Sequence, residues 1–142
     1  FQVRWIDDRP DAFEGARTYG VQTVISAMPE AALHDAPAGS YVVVMTHSHA
    51  LDLAIVAAAL PDTRFPYVGL IGSATKRRLF ERRLAEFGVA PADISRLVCP
   101  IGIPGISGKS PAVIAAAVAA ELLLQRERAN AKANIRTELA LG

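Results

Sequence analysis

Tyr41-Val42-Val43-Val44-Met45-Thr46-His47-Ser48-His49-Ala50-Leu51-Asp52-Leu53-Ala54-Ile55-Val56-Ala57-Ala58-Ala59-Leu60 is the stretch that decides the fold class. Tyr41 to Met45 is apolar at every position, the pattern of a central parallel strand covered on both faces. Ser48 then offers a capping hydroxyl for a helix from His49 to Leu60. That helix is apolar nearly all round, which predicts burial. A strand passing straight into a buried helix is half of a βαβ unit.

The same grammar continues on either side. Gln2 to Ile6 is a short β-like run closed by Asp7-Asp8-Arg9-Pro10, and Thr23 to Ser26 is a second, followed by Pro29 at the expected start of a short helix. Tyr67 to Ile71 makes a fourth strand. Gly72-Ser73 leads from it into a helix whose Phe80, Leu84 and Phe87 fall at i, i+4, i+7, a predicted buried stripe that Gly88 ends. A fifth run, Leu97 to Ile101, enters the loop Gly102-Ile103-Pro104-Gly105-Ile106-Ser107-Gly108-Lys109. Ser110 as N-cap and Pro111 as first helical residue then open an alanine-rich helix to about Gln125. Residues 1–126 read as one domain and 127–142 as a polar helical extension or tail. Strands alternating with helices over short connections give an α/β class with a mostly parallel sheet and right-handed crossovers. Ligands of such sheets collect beyond the carboxyl ends of the strands.

Composition bounds the function. The 142 residues carry 15 Lys+Arg against 14 Asp+Glu, a net charge of +1, without the basic excess of a nucleic-acid-coating protein. With 51% hydrophobic and 20% charged residues the chain is not a disordered one, and at this length it buries roughly 68–70% of its unfolded surface. The single Cys99 excludes an internal disulfide and suits a reducing, cytoplasmic compartment. Ala112 to Leu124, the longest apolar stretch, is broken by Glu121 and falls short of a membrane span. Phe1 to Ile6 shows neither an initiator Met nor a signal peptide, so the chain reads as part of a longer protein.

The polar residues at the strand ends are the candidate site. Lys76, Arg77 and Arg78 stand in the first turns after Gly72-Ser73, where the helix dipole disfavours cations and an anion would reverse the sign. Gly108-Lys109-Ser110 resembles a phosphate loop, but that motif asks for glycine where Ile103 stands. A looser anion-binding loop through Gly105 and Gly108 is the reading kept. His47 and His49 could offer two metal ligands with Asp52 nearby. No third ligand has matching spacing, and they read as hydrogen-bonding groups lining a polar cleft, with no metal assigned. Cys99 reads as a buried strand cysteine. Asp7 closes the first strand, where an acidic residue of a dinucleotide-binding fold meets a ribose hydroxyl, the other reading being a turn former. No catalytic residue is assigned.

Three ordered stretches together carry a resemblance: Tyr41 to Asp52, Tyr67 to Ser73 with Lys76, and Cys99 to Gly102 with Gly108 to Pro111. They resemble the C-terminal Rossmann-like domain of the XdhC/CoxI family, accessory proteins of molybdenum hydroxylases such as xanthine dehydrogenase. The resemblance implies a three-layer parallel sheet with helices on both faces and a chaperone without turnover chemistry. It implies binding of the molybdenum cofactor (molybdopterin) while a cysteine desulfurase installs a sulfido ligand, then delivery to the hydroxylase apoenzyme. A nucleotide is a further candidate ligand. The expected cofactor-binding residues are Asp7, His47, His49, Gly72, Ser73, Lys76, Gly105, Gly108, Lys109 and Ser110, with Lys76 and Lys109 flanking one crevice. The alternative is a fragment of an NAD(P)-binding oxidoreductase.

Family domains open with a strand and a glycine-rich turn ahead of the segment matched by Phe1 to Asp7, and that strand and turn are not among these residues. In the strand order 3-2-1-4-5-6 the slot falls between Gln2–Ile6 and Tyr41–Met45. It is expected to be filled from outside the numbering, by a strand of another copy, or closed by direct pairing of its two rims. A homo-oligomer is the expected state.

Overall fold

Extended β-branched runs and capped apolar helices alternate along the chain as the sequence predicts. The computed structural model describes residues 1–141, with side chains through Arg136, and Gly142 lies outside the described residues. Strand β1 (Val3–Asp7) precedes β2 (Val21–Ile25), a 3-10 turn (Pro29–Leu33) and β3 (Tyr41–Val44). Helix α1 (His49–Ala59), β4 (Tyr67–Leu70), α2 (Ala74–Glu86), the short α3 (Pro91–Ile94), β5 (Leu97–Val98) and α4 (Pro111–Leu141) follow.

All strand pairings are parallel. They form two sheets, β1-β2 and β3-β4-β5. Successive side chains of a strand point to opposite faces. Val68 and Leu70 of β4 join Val44, Leu53, Val56, Phe80, Leu84 and Leu97 in the core beneath α1 and α2. Tyr67 faces the other way, its hydroxyl donating to Glu121 of α4 at 2.8 Å. Helices therefore cover both faces of this sheet, a Rossmann-like α/β arrangement.

Four details differ from the sequence reading. Phe87 is 67% exposed whereas Phe80 and Leu84 are buried, because α2 ends at Glu86 and Phe87 is its C-cap, already turning off the helical stripe. The fifth strand is only Leu97–Val98, since the chain turns at the cis Cys99-Pro100 bond. Helix α1 is apolar nearly all round but not wholly buried, with Ala50, Ala54 and Ala58 left on an outer face. Beyond Gln125, α4 continues unbroken to Leu141.

The two sheets lie side by side without hydrogen bonds between β1 and β3. The Phe1 and Tyr41 rings meet at 5.9 Å at one end, and Asp8 Oδ1 approaches His47 Nδ1 at 3.6 Å at the other. The rims of the expected slot thus meet through side chains at their two ends and do not pair directly.

Candidate functional site at the strand ends

The carboxyl ends of β3 and β4 each turn into a helix through a serine cap. The Ser48 hydroxyl accepts from the Leu51 N–H at 3.4 Å and the Ser73 hydroxyl from the Lys76 N–H at 3.2 Å. Each cap satisfies one of the free amides of a first helical turn, leaving others directed beyond the sheet edge. The two turns are fixed side by side, the Ile71 N–H donating to the Val44 carbonyl at 2.9 Å.

Behind the caps lies a buried ion pair. Asp52 is fully buried, and its Oδ2 accepts from Lys76 Nζ at 2.7 Å. Its Oδ1 accepts from the Thr46 amide at 3.0 Å and the Thr46 hydroxyl at 2.7 Å. Lys76 also donates to the Ile71 carbonyl at 2.9 Å, lies over the Phe80 ring and packs its stem across Gly72. A carboxylate is tolerable in the core only because each of its oxygens is partnered this way. The lysine expected as an exposed anion ligand has a side chain only 13% exposed, its charge facing Asp52. The signal was present in the sequence: Asp52 is the one charge in an otherwise apolar helix, and such a residue needs an internal partner.

Arg77 is also compensated, contrary to the local reading. Arg77 bonds Glu81 at 2.7 Å, one turn on, and donates to the Cys99 carbonyl at 3.2 Å. Among the described residues no ion pair engages the exposed Arg78. Cys99 is buried, as expected, and desolvation pushes its thiol above the ordinary range. It is a packing residue.

A second cluster forms at the slot. Asp7, Asp8 and His47 bring their ligand atoms within 4.8 Å of one another. Arg9 holds Asp7 in a fork, Nε to Oδ1 at 2.9 Å and Nη2 to Oδ2 at 3.0 Å, and these bonds lower the Asp7 carboxyl to about 2. Sequence reading placed Asp7 and His47 separately and did not single out Asp8 or Arg9, because only the tertiary fold brings the ends of β1 and β3 together. His49 stands on the other side, its ring edge-on to Phe80 at 6.4 Å.

The glycine loop follows β5 at the same end of the sheet. Its first residue is fixed from α4: the Gly102 N–H donates to Glu121 Oε2 at 2.7 Å, on the same oxygen that accepts from Tyr67. Gly102 has φ +103 and leaves only 3.2 Å between a would-be Cβ and Ala117, so glycine is required twice over there. Gly105, Lys109 and Ser110 are exposed, Gly108 abuts Val113, and the Ser110 carbonyl accepts from the Ile114 N–H at 3.0 Å to start α4. No hydrogen bond or ion pair joins Lys109 to the Lys76 cluster among the described residues.

A family model described as XdhC Rossmann domain matches residues 1–122. No curated protein matches the chain. Among the described residues no helix is long and apolar enough to cross a membrane.

Proposed function

The chain belongs to the XdhC family, as its Rossmann domain, and on that premise we propose that it binds the molybdenum cofactor at the carboxyl ends of β3, β4 and β5. There it serves as an accessory chaperone in the cytoplasm, holding the cofactor during sulfuration by a cysteine desulfurase and releasing it to a molybdenum hydroxylase apoenzyme. The observation that supports this reading is the pair of serine-capped helix starts held side by side by the Asp52–Lys76 bridge.

The donor chemistry suits a phosphate-bearing ligand. Backbone amides beyond Ser48 and Ser73 and the cation of Lys109 favour an anion, and two of the carboxylates near these ends, Asp7 and Asp52, each face a cation, while Asp8 lies beside His47. Gly72, Ser73, Gly105, Gly108, Lys109 and Ser110 would face the phosphate, His47 and His49 would line the cleft, and Lys76 would act from behind Gly72. When bound, the cofactor supplies the molybdenum centre and its exchangeable ligand. The sulfur comes from the desulfurase, since the only cysteine here is buried.

Asp7 at the end of β1 favours a second reading, a nucleotide ribose at this edge in an NAD(P)-binding oxidoreductase. Adding molybdenum cofactor and NAD(P) separately to the full chain distinguishes the two. Co-elution of pterin fluorescence with the protein is the expected result, and it should weaken in Lys109→Glu without loss of thermal stability. Tight nicotinamide binding with hydride transfer and no pterin binding would overturn the proposal.

A further inference from the structure

A cavity with its own set of polar groups lies at the amino ends of β3 and β4, the opposite end of the sheet from the capped turns. Helix α4 is fixed to the sheet by the Ile103 N–H on the Ala117 carbonyl at 3.3 Å and by Glu121 on the hydroxyl of Tyr67, the first residue of β4. Past Glu121 it passes Tyr41, the first residue of β3, and between them is a space of about 340 Å³ lined by Tyr41, Pro66, Gln125, Arg128, Ala129 and Lys132. The four helix positions fall at i, i+3, i+4 and i+7, one face of α4.

Every polar side chain of this lining can donate a hydrogen bond, and none is a carboxylate. The Tyr67 hydroxyl is taken by Glu121, and Arg126 lies over the Phe1 ring with Glu127 at 3.7 Å. Among the described residues no hydrogen bond or ion pair occupies the Tyr41 hydroxyl or the side chains of Gln125, Arg128 and Lys132. Arg128 and Lys132 stand one turn apart, where like charges repel. An anion held between them reverses the sign, and a guanidinium fork with an ammonium point charge suits a phosphate. The wall opposite is flat and apolar. Tyr41 is held between the rings of Phe1 at 5.9 Å and Tyr67 at 5.8 Å, and Pro66 continues its surface.

We propose that this cavity binds a small organic phosphate with a planar ring, of the mononucleotide class. Its phosphate lies between Arg128 and Lys132, and its ring lies against Tyr41 and Pro66. The volume falls at the lower end of the range of small-molecule pockets. The length of the strands separates this cavity from the capped turns, so this inference and the cofactor proposal fail separately.

Isothermal titration calorimetry of the full chain with adenosine monophosphate is the test, with inorganic phosphate and adenosine as separate titrants. The monophosphate is expected to bind more tightly than either, and to lose about tenfold in affinity in Arg128→Glu and in Lys132→Glu. Both residues are exposed, so thermal melts of these variants should match the parent. Tyr41→Leu, which removes the flat ring, should weaken the monophosphate and leave inorganic phosphate unchanged, with circular dichroism confirming that the variant is folded. Absence of binding, indifference to both charge reversals, or loss in Lys109→Glu in their place would overturn the proposal. Inorganic phosphate binding as tightly as the monophosphate would overturn it too, by denying the ring a role. So would tighter binding of an RNA oligonucleotide or of phosphatidylserine vesicles that the same reversals abolish, since these assign the face to a polyanion.

Discussion

Asp52 and Lys76 are the residues on which the strand ends depend. Removing one member of a buried pair leaves the other charged and unpartnered, a change that costs about 3–5 kcal/mol. Asp52→Ala should approach that figure in urea unfolding, and Lys76→Met somewhat less, because the Thr46 amide and hydroxyl still hold Asp52. The double variant should lose less than the two single losses added, and strict additivity would show that the pair does not interact. Arg9 and Asp7 make a weaker, exposed pair with a defined pH signature. The Asp7 carboxyl titrates at about 2 in the folded protein, against about 3.9 in an unfolded chain. Its contribution is therefore complete above the unfolded value and disappears as pH falls through the interval towards 2. Urea midpoints measured down that interval should decline less steeply in Arg9→Ala, and parallel curves would deny the pair any role.

At the scale of elements, α2 separates its three aromatic and leucine positions into two fates. Phe80 is 2% exposed and packs in the core, so Phe80→Ala should destabilise by about 3–5 kcal/mol. Phe87 lies one residue past the helix and is 67% exposed, so Phe87→Ser should change stability by less than about 0.5 kcal/mol. Comparable losses in thermal melts would show that the C-cap packs. The i, i+4, i+7 spacing was legible and gave two of the three correctly. It failed at the last because periodicity says nothing about where a helix stops. The serine caps were legible because capping is local chemistry. Arg96 was not: its guanidinium donates to the carbonyls of Leu60 and Phe65 beyond the end of α1, over thirty residues away, which no spacing rule reveals.

For the whole molecule the deciding feature is the unpaired boundary between β1 and β3. Their facing edges carry amides and carbonyls without ladder partners, and an open edge recruits strands. Val3 is 49% and Trp5 38% exposed on one face of β1, which adds apolar surface beside that edge. The isolated chain should therefore self-associate in sedimentation experiments at micromolar concentration. A monomer that unfolds cooperatively would show that the edges are satisfied by water and would refute a strand-shaped vacancy.

By itself the sequence determined the order of strands and helices, the capped turns at the strand ends, the buried fate of Cys99 and the family resemblance, since periodicity, caps and turn residues act over a few neighbours. Only the tertiary structure decided that Lys76 faces inward to Asp52, that His47 meets Asp8, and that Gly102 hangs from Glu121. Those pairings join residues 24, 39 and 19 positions apart. Which side chains meet at such separations is fixed by how strands register and helices cross, and that information is carried by the packed core as a whole.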